Sequence, residues 1–135
     1  MDRNLQLLGI ARKAGLLAVG GDSAAIAVRN GKARAVFSAS DASEGAKRRA
    51  YKDSGNYGVL YVVIPYTKFE LGIVTGRGSP GTLAILDTGL AAGFLGGLAK
   101  KEPELYGEMA ELLAESARTL AGNRKNTAGV RRTAQ

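Results

Sequence analysis

The 135-residue chain contains neither cysteine nor histidine. Without cysteine, disulfides, thiolate chemistry and zinc–sulfur sites are excluded. Without histidine, the usual general base at neutral pH and the commonest metal ligand are also missing. Carboxylates, Ser, Lys and Tyr remain, so these absences lower the expectation of an enzyme without abolishing it. Met1 is followed at once by Asp2 and Arg3 rather than by an apolar run, and there is no lipidation signal. A cytoplasmic address without membrane attachment is expected.

What is present suits one compact domain. Apolar residues make up 45% of the chain, enough for a modest core. The net charge of +7 is unevenly placed: residues 1–101 carry +7, residues 102–121 carry −4, and residues 122–135 carry +4. A basic body and a basic end flanking an acidic segment point to a polyanionic partner, most simply nucleic acid. Charge kept for solubility is the plainer reading. The divisions suggest a domain over 1–101, an amphipathic acidic helix over 102–121 and a disordered basic tail over 122–135.

The central stretch, 16–43, reads as a strand (16–19), a double-glycine turn (Gly20, Gly21), a helix (23–30) and a second strand (33–39) ending at Asp41. A helix opening on two glycines presents unpaired amides and a partial positive charge, which suits a phosphate or a base edge. Backbone freedom alone would also explain the glycines. Before this stretch, an amphipathic helix runs over 4–13 with Arg12 and Lys13 in its last turn, where they complement the helix dipole and could also meet a phosphate backbone.

Beyond it, Asp41-Ala-Ser-Glu44 opens a helix to about residue 54, with Asp41 and Glu44, or Ser43, as its caps rather than an acid/base pair. Lys47, Arg48, Arg49 and Lys52 make a basic stripe on it. The run Val59-Leu-Tyr-Val-Val-Ile64 predicts a strand buried on both faces. Thr67-Lys-Phe-Glu70 is a capping box for a short helix, with Phe69, Leu71 and Ile73 or Val74 as its apolar contacts.

Gly76-Arg-Gly-Ser-Pro-Gly81 matches GxGxxG in letters only, because it follows a helix and opens a strand (82–86); a flexible surface loop with one arginine describes it better. Asp87 caps a helix over 88–101 whose Gly89, Gly93, Gly96 and Gly97 admit a close neighbour. Pro103 starts a last helix to about 120, with Leu105, Met109, Leu112, Leu113, Ala117 and Leu120 along one side. Alternation of helices with apolar strands implies an α/β fold: a three-layer α/β/α sandwich with a four-stranded mixed sheet, plus an added C-terminal helix.

Several phrases occur together in order and spacing: Leu7-Leu8-Gly-Ile-Ala-Arg-Lys-Ala-Gly15, Gly20, Ala27-Val-Arg-Asn-Gly31-Lys-Ala-Arg-Ala-Val36, Asp41-Ala-Ser-Glu44, Glu70-Leu-Gly72 and Leu83-Ala-Ile85. Over residues 4–100 this resembles the bacterial YlxQ-like branch of the kink-turn RNA-binding superfamily, whose archetype is ribosomal protein "L seven Ae". The resemblance implies a non-enzymatic protein that reads structured RNA through the start of its second helix and the loop before its last strand. Those places are Gly20 to Ile26 and Gly76 to Gly81 here. The family pattern Gly-x-Asn-Glu-x-x-Lys stands as Gly20-Gly21-Asp22-Ser23-Ala24-Ala25-Ile26. Asp22 can only accept hydrogen bonds where asparagine would also donate, Ser23 replaces a carboxylate, and Ile26 replaces a cation.

The expected RNA-binding residues are therefore Gly20, Gly21, Asp22, Ser23, Ile26, Arg12, Lys13, Arg29, Lys32, Arg77, Gly78 and Ser79. Structured RNA is the expected partner, ribosomal RNA being one candidate, with no cofactor and no metal site. The alternative is a scaffolding protein that self-associates through 88–101 and 103–120. The residue inventory gives least support to a small-phospholigand enzyme using Gly20-Gly21 as an anion cradle.

Overall fold

The computed structural model describes the backbone of residues 2–134 and the side chains of residues 2–121. Helices and strands alternate: α1 (Arg3–Lys13), β1 (Leu17–Val19), α2 (Gly21–Arg29), β2 (Ala35–Ser38), α3 (Glu44–Asn56), β3 (Leu60–Val63), α4 (Lys68–Thr75) and β4 (Thr82–Ile85). A helical hairpin follows, α5 (Thr88–Lys101) and α6 (Pro103–Ala134). The strands form one mixed sheet in the order β1-β4-β2-β3, with β4 antiparallel to both neighbours and β2 parallel to β3.

Side-chain alternation along the strands divides the interior into two cores. Ala35, Phe37, Val62, Leu83 and Ile85 point to one face, where they meet Leu8, Leu71, Phe94 and Leu95 from α1, α4 and α5. Val36 and Ala84 point to the other, under Ala24, Ala27 and Val28 of α2 and Ala50 of α3. The expected three-layer α/β/α sandwich with an added helix is thus the fold found. The second core is built almost wholly of alanine and valine, which lets α2 and α3 sit close to the sheet.

Several local expectations change. The strand buried on both faces is not β3: the central strands β2 and β4 are buried at every position, while β3 is an edge and Val63 is 41% exposed. A β-branched run cannot show which strand will be flanked on both sides. In α4, Leu71 is buried and Val74 half-buried, but Phe69 and Ile73 face solvent. Asp41 does not cap α3; Ser43 does, accepting from the Ala46 amide at 3.1 Å, while Asp41 accepts from the Lys68 amide at the start of α4. The capping box of α4 is present as expected.

In α6 the buried stripe is Tyr106, Ala110 and Leu113, whereas Leu105, Leu112 and Leu120 are exposed. The buried face is the one packed against α5, and from it the Tyr106 hydroxyl reaches the Val63 carbonyl of β3 at 3.4 Å. Two of the α5 glycines face α1: a Cβ on Gly97 would collide with the Asn4 side chain and one on Gly93 would meet Leu7, whereas one on Gly96 would meet nothing. The stretch 122–135, expected as a disordered basic tail beyond a helix ending near 120, instead continues the backbone of α6 to Ala134, and its side chains lie outside those described.

One cluster ties α1 to the rest. Asp2 caps α1 through the Asn4 amide, accepts from the Tyr66 hydroxyl at 2.9 Å and pairs with Lys101 at 3.1 Å. Burial by itself would raise the Asp2 carboxyl. The hydrogen bonds from Lys101, the Asn4 amide and Tyr66, with the Lys101 charge, hold it below the ordinary value of 3.8. A lowered carboxyl contributes stability that is complete above pH 3.8 and is lost as pH falls through the folded-state value. Burial, then the Asp2 carboxylate, raises Tyr66 well above its ordinary 10.0, so its contribution is complete below pH 10.0 and is lost at higher pH. Asp2→Asn is expected to flatten the acid side of a urea-midpoint profile against pH and leave the neutral plateau lower by about 1 kcal/mol.

A second prediction concerns Ser54, fully buried on α3 with no partner for its Oγ among the described residues. It lines a cavity of about 70 Å³ beneath α2 with Ala24, Val28 and Ala50. Ser54→Ala is expected to leave stability unchanged or raise it by about 1 kcal/mol in urea unfolding. A clear loss would mean that the hydroxyl is satisfied.

Candidate nucleic-acid interface

The opening of α2 is set by Gly20, which takes φ 98° and ψ 159°, a region in essence closed to side-chain-bearing residues. This geometry turns the chain from the edge of the sheet straight into the helix. Gly21 is consequently the first helical residue rather than part of the turn. The Gly20 amide donates to the Thr82 carbonyl at 2.9 Å and its carbonyl accepts from Ala24, so the turn is fastened to β4. No side chain caps the helix. The amides of Gly21, Asp22 and Ser23 have no acceptor among the described residues, and Asp22 and Ser23 are exposed.

Because the bond from Gly20 ends on Thr82, the loop Gly76–Gly81 that precedes β4 lies beside this opening. Gly76 ends α4 in the left-handed conformation, and the Arg12 guanidinium packs against it. Gly78 is pressed onto Gly72 of α4, which pins the loop, and Arg77 is exposed. Arg12, Arg77 and Ser23 together line a groove of about 430 Å³ along β1. Neither arginine has an acidic partner among the described residues.

The structure therefore brings together Gly20, Gly21, Asp22, Ser23, Arg12, Arg77, Gly78 and Ser79, with Lys13 exposed next to Arg12. Ile26 lies one turn along α2 from Asp22 and is 56% exposed, an apolar residue on the outer face. Arg29 and Lys32 are not brought to this surface. They stand at and beyond the other end of α2, eight residues or about 12 Å from its opening, where Arg29 borders a hollow with Arg34 and Tyr57. Proximity in sequence to the helix start misplaces them, because the helix carries its last turn away.

One participant, read in the sequence only as part of a basic stripe, is absent from the expected RNA-binding residues. Arg49 of α3 reaches across to Asp22, Nη2 to Oδ1 at 3.0 Å, and lies near Asp53. The pair is largely exposed and contributes little to stability, but it leaves a carboxylate, partly neutralised, where an anion would approach. Nothing in the spacing of residues 22 and 49 signals this contact. Among the described residues no three His, Cys, Asp or Glu are placed to hold a metal ion, and no helix is long and apolar enough to cross a membrane.

The strand order and the two cores define a three-layer α/β/α fold around a four-stranded mixed sheet, with the opening of α2 beside the last loop. The particular neighbours are solved structures. A protein of unknown function from Bacillus halodurans is 26% identical, with a TM-score of 0.65 over 72% of this chain and 97% of that one. The Giardia lamblia 15.5kD RNA binding protein is 22% identical, with a TM-score of 0.56 over 68% of this chain and 81% of that one. No family model and no curated protein matches the sequence.

Proposed function

We propose that this protein is a non-enzymatic RNA-binding protein that receives structured RNA at the opening of α2 and the loop before β4. The observation that carries this reading is the set of uncapped amides of Gly21, Asp22 and Ser23, open to solvent and flanked by the unpaired guanidiniums of Arg12 and Arg77. Uncapped helix amides and unpaired cations are what a phosphate-rich chain needs. The RNA binding of the Giardia protein, which shares the fold, supports the same partner class. The net charge of +7 acts in the same direction at longer range.

Base-edge reading is expected to be weak. Asp22 has no donor to offer, Ser23 is short and Ile26 brings an apolar surface where a cation would help. A kink-turn RNA and a plain duplex should then bind with similar affinity, each weakening as salt rises. Failure to bind either RNA at low salt would refute the proposal. Asp22→Asn tests the chemistry of the opening directly. It removes the carboxylate, restores a donor and releases Arg49, so affinity for the kink-turn RNA is expected to rise several-fold over that for the duplex in a filter-binding or anisotropy titration.

A further inference from the structure

The two edges of the sheet are treated differently. At β3 the Tyr106 hydroxyl of α6 donates to the outward Val63 carbonyl. At β1 the outer edge has no backbone partner among the described residues. The bonds from the Leu86 amide to the Leu16 carbonyl and from the Gly20 amide to the Thr82 carbonyl set the register with β4, so Ala18 between them turns its backbone groups inward. Leu17 and Val19 turn theirs outward, and these N–H and C=O groups have no partner among the described residues.

This edge forms the floor of the groove of about 430 Å³. Arg12 borders it from the α1 layer, Ser23 from the α2 layer, and Arg77 is also in its lining. No aromatic residue lines the groove, so a base would have only the Arg12 and Arg77 guanidiniums to stack on, and base stacking would leave the outward backbone groups of Leu17 and Val19 unpaired. An alternation of backbone donor and acceptor, repeated after two residues, matches a second extended chain. The arginines set the sign of its side chains.

We infer that the β1 edge is a docking site for an extended acidic peptide, which adds a fifth strand beside Leu17 and Val19 and places carboxylates at alternate positions toward Arg12 and Arg77. Alternate side chains of such a strand point to the same face of the sheet, so one row faces the α1 layer that carries Arg12. The inference stands without the RNA-binding reading, although the two ligands would share the arginines and compete.

The test uses the full chain and a fluorescein-labelled heptapeptide alternating valine and glutamate, compared with the same peptide carrying lysine for glutamate and with one N-methylated at alternate amides. Anisotropy is expected to rise with the first peptide and not with the lysine version. N-methylation, which removes strand pairing but leaves the charges, should weaken binding about tenfold or more. Arg12→Gln with Arg77→Gln should weaken it as well, and hydrogen exchange at the Leu17 and Val19 amides should slow on peptide addition. Equal binding of the N-methylated peptide, or unchanged exchange at those two amides, would overturn the inference by showing attraction through charge alone. Protection of the same amides by an RNA hairpin but not by the peptide would also overturn it, assigning the edge to RNA.

Discussion

Replacing Arg12 and Arg77 together by glutamine is expected to lower affinity for structured RNA roughly 10- to 50-fold near physiological salt, with no preference for one RNA over another. Both side chains are exposed, neither has an acidic partner among the described residues, and both line the groove next to the uncapped amides of α2. Each guanidinium that neutralises a phosphate releases condensed counterions. Removing two such contacts should reduce the slope of log K against log salt by about 1.5–2. Both positions are exposed and glutamine keeps a polar side chain there, so the fold should be unaffected and the urea midpoint unchanged. An unaltered slope would mean that RNA approaches from another surface. Arg29→Gln with Lys32→Gln, at the far end of α2, provides the comparison: the same change in net charge with little effect on affinity.

The second large effect is expected at Gly72→Ala. In the middle of an exposed helix this change would stabilise by up to about 1 kcal/mol. Here the sign reverses. Gly72 is buried in α4, and the Gly78 carbonyl oxygen occupies the place a Cβ would take, well inside contact distance. Both groups belong to the backbone, so no side-chain rotation relieves the collision and the loop Gly76–Gly81 must shift. Overpacking of this kind costs about 1–3 kcal/mol, a fall in Tm of roughly 5–15 °C for a domain of this size. Since the loop carries Arg77 to the opening of α2, RNA affinity should fall as well, including at temperatures where the variant remains folded. Gly45→Ala on α3, where a Cβ meets nothing, is the control and is expected to leave stability unchanged or slightly improved.

Most of the element order could be read from local signals, because those signals act locally. Ser43, Thr67 with Glu70, Asp87 and Pro103 each satisfy or spare helix-end amides within a few residues, and they start α3, α4, α5 and α6. The opening of α2 was legible for the same reason, through the backbone freedom of Gly20. Long-range consequences were not legible. Asp41 and Ser43 look equally able to cap α3, and only the arrival of Lys68 decides that Asp41 serves α4. Arg49 appears as one cation in a stripe until α2 and α3 lie side by side and bring it to Asp22.

By itself the sequence determined where helices and strands begin, which chemistry the chain lacks, and that a glycine-opened helix would expose amides amid excess positive charge. These follow from backbone dihedral preferences, capping groups and composition, all properties of neighbouring residues. Only the tertiary structure decided which strands are central, which face of α6 is buried and which cations stand beside the helix opening. Those depend on sheet order and on contacts between residues far apart in the chain. The bond from Gly20 to Thr82 is such a contact, and through it the helix opening, the last loop and the arginines share one surface.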